Sequence, residues 1–179
     1  TAVSGWNGID SLYNSWGDLF GGMTKEQAKH VDSTGMFRTL VRTEISSQMD
    51  LITKNTANAN AAPPKFWFVN FMKVPAGKWD DYVKMEKELV KPVHQEQINN
   101  GHRAGWGLYG IEFPYGAETK YNAVTVDYFN KWSDVTADDG AALWQKVHPG
   151  KKMADMGKTI EAARTLTRNE VWGLLDSAQ

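Results

Sequence analysis

The chain has 179 residues, 41% apolar and 23% charged, with a formal net charge of −1. That length buries a substantial core, and a near-zero charge without a basic stripe or a block of like charges argues against a nucleic-acid partner. There is no cysteine, which removes disulfides and thiolate metal sites, and no apolar run approaches the ~18 residues that a membrane span needs.

The N-terminal "TAVSGWNGID" has neither a basic start nor an apolar stretch and is not a signal peptide. The expectation for compartment leans towards a secreted or periplasmic protein whose signal has been removed. "YNSWGDL", Tyr13 to Leu19, reads as a strand, "QAKHV" from Gln27 as helix, and "RTEISSQMDL" from Arg42 as a second strand. "TKNTANANAAPPK", Thr53 to Lys65, is small and polar. Pro63 and Pro64 close it, forcing extended backbone, so it reads as a linker. The expected organisation is a partial half over residues 1–54, a linker over 55–64 and a complete half over 65–179.

The second half has a legible order. Lys65 to Val74 is aromatic and β-branched, hence a strand. Trp79, Tyr82, Val83, Glu86, Leu89, Val90 and Val93 then fall at helical spacing. Pro92 lacks an N–H and clashes with the turn before it, which predicts a kink or restart there, and Gly101 ends the helix. Strands follow over His102–Phe113 and Lys120–Phe129. Thr136 with Asp139 resembles a capping box opening a second helical region. His148-Pro149-Gly150 interrupts that region, and Met153, Met156, Ile160 and Ala163 share one side of its continuation. "TRNEVWGLLD" from Thr167 closes as a strand, which completes βαββαβ. "FNKWSDV", Phe129 to Val135, echoes Tyr13 to Leu19, and each echo precedes a helix with a histidine and a charged-to-apolar strand. This reads as a duplication whose first copy lacks its opening βαβ. Either those residues were lost or the chain is part of something longer.

The βαββαβ order, the string "KVPAGKWDDYVKMEKEL" and the partial tandem copy resemble the dimeric α/β-barrel superfamily of ferredoxin-like domains. The "K-V-x-x-G-K" opening is Lys73, Val74, Gly77 and Lys78. The resemblance implies an α+β fold of ferredoxin-like repeats closing into an α/β barrel, the first repeat incomplete, with two sheets enclosing a cavity in a homo-oligomer. The group includes cofactor-independent and haem-degrading monooxygenases, stress-response proteins and bacterial secreted proteins. No catalytic residue carries over, because no functional motif of a member matches.

Strand alternation puts Trp106 on one face with His102, Asn70 on the face of Phe68 and Met72, and Glu170 on that of Trp172. The mixed polar-aromatic faces are expected to line the barrel interior and the apolar faces to lie under helices. His94, just past Pro92, reads as a general acid/base or an axial haem ligand. The plainer reading is a surface histidine near a helix C-terminus. His102 opens a strand after a turn, and His30 and His148 occupy echoing helix ends. Glu170 and Glu44 are either paired carboxylates or partners of Arg168 and Arg42. The expected ligand-binding set is therefore His94, His102, Trp106, Asn70, Glu170 and Trp172. The catalytic residues stay open, and no spacing such as HExxH marks a metal site. No cofactor is expected, and haem is the one that the resemblance admits.

Three functions follow. The first is a non-enzymatic module holding a small aromatic or apolar ligand in an aromatic-lined cavity. The second is a cofactor-independent or haem-linked monooxygenase, which needs only orientation and a few hydrogen bonds. The third is a protein that self-assembles through open sheet edges.

Overall fold

The computed structural model describes residues 8, 21–54, 62–137 and 139–175. The chain divides into two compact units, Thr1–Thr43 and Glu44–Gln179. In the smaller unit, helix α1 spans Lys25–Thr34. It opens with a capping box: Thr24 N–H donates to Gln27 Oε1 at 2.8 Å, and Gln27 N–H donates to the Thr24 hydroxyl at 3.2 Å. Tyr13 to Leu19, expected as a strand, lies outside the described residues, as do residues 55–61 of the expected linker.

The larger unit is α+β, with a five-stranded antiparallel sheet. Its strands are β1 (Ile45–Thr53), β2 (Phe66–Lys73), β3 (Gly105–Phe113), β4 (Ala123–Phe129) and β5 (Thr165–Gly173). Their order is β1-β3-β4-β2-β5, so β1 and β5 are edges and the sheet does not close into a barrel. The strand expected to end the first half is thus β1, hydrogen-bonded along β3 of the second. The helices are α2 (Trp79–Met85), α3 (Lys91–Asn99), the single turn α4 (Trp132–Val135), α5 (Gly140–Val147) and α6 (Met153–Ala163). "FNKWSDV" is therefore the end of β4 followed by a helical turn.

Pro92 sits in the first turn of α3, and a π-helical turn over Glu86–Val90 joins α3 to α2. Lys91 N–H bonds the Glu86 carbonyl, five residues back. The expected irregularity is therefore a change of hydrogen-bond register, the usual form of such a bulge. The anticipated box at Thr136 does not form. The Thr136 hydroxyl donates to the Ser133 carbonyl, and Asp139 precedes α5 with its carboxylate engaged elsewhere.

On β2, β3 and β4 the two faces are exchanged relative to the sequence expectation, whereas on β5 Glu170 and Trp172 lie, as expected, on the side away from the helices. Met72, Trp106, Leu108 and Ala123 pack with Tyr82 and Met85 of α2 and Ala163 of α6, forming the core under the helices. The apolar Val69, Phe71, Val124 and Val126 form a second cluster with Tyr121 on the opposite face, and Trp67, Tyr109, Ile111 and Tyr128 pack against it. There Tyr109 lies over Gly107, which has no side chain to obstruct it, and its hydroxyl meets that of Tyr128 at 2.9 Å.

Gly105 lies close against β1: a Cβ there would stand 2.9 Å from the Ile52 carbonyl oxygen. The nearest atoms to a Cβ on Gly107 are at the far end of the Tyr109 side chain, which can shift. Gly105→Ala should cost about 1–3 kcal/mol in urea unfolding, and Gly107→Ala less. The reverse ranking would contradict the register described.

Candidate functional site

Asp127 lies in the middle of β4, opposite Phe68 of β2 and Trp106 of β3, so its carboxylate faces the helices. A charge there survives only with partners. One carboxylate oxygen accepts from Arg103 Nη1 and the other from Asn70 Nδ2 at 3.2 Å. Arg103 reaches it from the segment between α3 and β3, with its guanidinium 5.0 Å from the centre of the Phe129 ring. Its Nε donates to Gln97 Oε1 at 3.0 Å.

That bond fixes two further groups. Gln97 Oε1 must face the Arg103 donor, and its Nε2 donates to Asp139 Oδ1 at 2.7 Å. The other Asp139 oxygen meets His102 Nδ1 at 2.7 Å. The Gln97 amide therefore has one orientation. His94, one helical turn earlier on α3, places Nδ1 3.2 Å from the same Oε1. An oxygen already held as acceptor requires Nδ1 to carry the proton, which leaves Nε2 as a bare acceptor. Nε2 makes no hydrogen bond among the described residues, and Asp127 Oδ1 stands 3.9 Å from it. The imidazole lies 5.7 Å from Trp106, centre to centre.

Electrostatics follow from burial. His94 is pushed down to about 4 by burial and then by the Arg103 charge, which outweigh Asp127 and the Gln97 bond. It is neutral at neutral pH. Glu86, at the start of the π-helical turn, is 3% exposed. Burial raises it to about 7, with Asp127 adding to that and Arg164 and Tyr82 opposing. For Asp139, partial burial works upwards, but the bonds from Gln97 and His102 win and hold it below the ordinary carboxylate range.

Above this floor, between α3, α5 and α6, is a cavity of about 190 Å³. His94, Gln97 and Arg103 supply its polar part. Val90, Val93, Trp144, Met153, Met156 and Ile160 supply apolar walls. Trp144 is fixed by donating to the Lys151 carbonyl at 2.9 Å, and His148 Nε2 meets the Leu89 carbonyl at 2.9 Å, tying the end of α5 to the π-helical turn.

The expected site residues divide. His94, Trp106 and Asn70 come together on the helix side. His102 is a turn residue, reaching the cluster only through Asp139. Glu170 and Trp172 lie on the opposite face, across from Val69 and Trp67. Glu170 pairs with Arg168 at 2.9 Å and accepts from Trp172 Nε1 at 2.7 Å. Glu44 accepts the Tyr121 hydroxyl at 2.7 Å. Arg103, Gln97, Asp127 and Glu86 were not expected as site residues. Two carried a signal: Asp127 interrupts the apolar run "AVTVDYF", and Glu86 falls on the apolar stripe of its helix. Among the described residues no group of three or more His, Cys, Asp or Glu could hold a metal ion, and no helix is long and apolar enough to cross a membrane. No protein-family model matches the sequence, and no curated protein matches it significantly.

The two shifted groups give opposite pH dependences. Glu86, raised from 4.5 to about 7, favours the fold below 4.5, and that contribution is lost as pH rises through about 7. His94, lowered from 6.5 to about 4, favours the fold above 6.5, and that contribution is lost as pH falls through about 4. Between these limits they offset one another. Glu86→Gln should make stability fall more steeply on acidification than in wild type, and His94→Gln less steeply, each by at most about 1.4 kcal/mol per pH unit. Urea melts across this range check it; parallel curves for all three proteins would contradict it.

Proposed function

We propose that the chain is a small-molecule-binding protein whose ligand occupies the cavity between α3, α5 and α6. The observation that carries this reading is a chemically divided cavity: apolar walls from three helices over a floor of hydrogen-bonded Arg103, Gln97 and His94. Pockets that bind organic ligands have this composition, apolar lining with a few placed polar groups. At about 190 Å³ the volume suits a body of one or two rings. An apolar cavity of about 150 Å³ in another protein takes benzene. A haem macrocycle is too large for it, since pockets for drug-sized ligands span about 300–1,000 Å³. An oxygenase acting without a cofactor would place its substrate in this same cavity.

The opposite sheet face supports a second reading, the dimeric α/β-barrel arrangement of ferredoxin-like units. Its apolar cluster consists of strand residues and Tyr121. Val69, Phe71, Val124 and Val126 are already buried within one chain, so in a barrel a second copy would meet this side through its exposed residues, such as the 47%-exposed Trp172 beside Trp67. Such an assembly would leave the helix-side cavity as the binding site.

Indole and p-xylene, titrated against the full chain, should raise its thermal midpoint and bind by calorimetry. At a hundredfold excess over Kd the stabilisation is about 2.7 kcal/mol. Met156→Trp, which fills the cavity from α6, should abolish binding without loss of the fold. Absence of any stabilisation by either probe, or equal binding to Met156→Trp, would overturn the reading.

A further inference from the structure

Resting on the cavity reading above, we infer that the ligand is an uncharged molecule with an apolar body and one hydroxyl, a phenol or a comparable alcohol, whose O–H donates to His94 Nε2. Three observations lead there.

The first is the fixed polarity of His94. Arg103 Nε and Asp139 clamp the Gln97 amide from its two ends, so Gln97 Oε1 takes the Nδ1 proton of His94. Nε2 is left on a cavity-lining residue with a lone pair and no hydrogen bond among the described residues. The His94 side chain keeps 17% of its surface exposed and lines the cavity, so this lone pair is open to a donor from a ligand, and an O–H supplies one. A carbonyl or ether oxygen would instead face that lone pair.

The second is charge balance. Arg103 is the cationic group on the cavity wall, and it is spent on Asp127. Asp127 is in turn spent on Arg103 and Asn70. An anionic ligand would find its cation already neutralised, and a cationic one would find no carboxylate on the wall. An uncompensated charge in such a place is strongly disfavoured.

The third is shape. The remaining lining, Val90, Val93, Trp144 and Met156 among it, is apolar and aromatic, which fits a hydrocarbon body.

An isosteric series tests it: p-xylene, p-cresol and p-toluate titrated by calorimetry into the wild-type chain and His94→Phe. The ratio of p-cresol to p-xylene affinity should fall about tenfold in the variant, the loss expected when a buried hydroxyl is left without its acceptor. p-Xylene affinity should hold or improve, and p-toluate should bind neither protein. In wild type alone, p-cresol should shift the ring-nitrogen resonance of His94 Nε2 and p-xylene should not, a readout that stands if the variant fails to fold. If p-xylene binds but the ratio is unchanged in the variant, or the Nε2 resonance is indifferent to p-cresol, this inference falls while the cavity reading stands. Tight p-toluate binding overturns it as well. If none of the three binds, both fall together.

Discussion

The larger unit is organised around one buried ion pair. Asp127 is a carboxylate placed within a strand, under helices, where it is largely shielded from water. Arg103 answers it from the turn before β3, and Asn70 from the neighbouring strand. Such a pair adds little net stability, because desolvating two charges consumes most of what their attraction returns. Its consequence here is geometric. With one nitrogen committed to Asp127, the guanidinium presents Nε to Gln97. Gln97 then has one orientation, His94 one tautomer, and Asp139 a reason to hold the start of α5 against the end of α3. A chain of donors and acceptors thus runs from the middle of the sheet to the 47%-exposed His102, and the cavity is built along it.

The π-helical turn belongs to the same arrangement. A straight helix through Glu86–Val90 would continue the α2 register into α3. Glu86, at the start of this turn, is still in the α register of α2 and lies in the interior beside Tyr82 and Arg164, and the Leu89 carbonyl within the turn meets His148 Nε2. Two of the three helices around the cavity touch that turn: α3 continues from it, and the end of α5 is tied to it through His148. The irregularity that Pro92 marks is thus part of how the cavity is formed.

Much of this order was legible in the sequence. Strands of alternating aromatic and β-branched residues, helical spacing from Trp79 and the break at Pro92 all appear where periodicity and proline chemistry place them. His94 was singled out by its place after the break, and it does line the cavity. What failed was the choice of face. Alternation says that Trp106 shares a side with Leu108, and Asp127 with Thr125. It cannot say which side the helices cover. The mixed side was assigned to a barrel interior because polar groups suggested openness, whereas here they are polar groups satisfied by one another beneath helices. Glu170 and Trp172 were grouped with His94 for the same reason and fall on the far face. Arg103 and Gln97 were illegible because their role depends on a turn and a helix end converging on one carboxylate, which no local pattern records. Asp139 was read as a cap, since spacing alone cannot tell a cap from a carboxylate serving Gln97 and His102.

The most direct test of this account is the protonation state of one ring. A nitrogen-resolved titration of His94 in the full chain should show Nδ1 carrying the proton and Nε2 bare across neutral pH, with the imidazolium forming only near pH 4. A ring that titrates near its ordinary 6.5, or that carries its neutral proton on Nε2, would contradict the account: Gln97 would not be clamped, and the ion pair would not be directing the site.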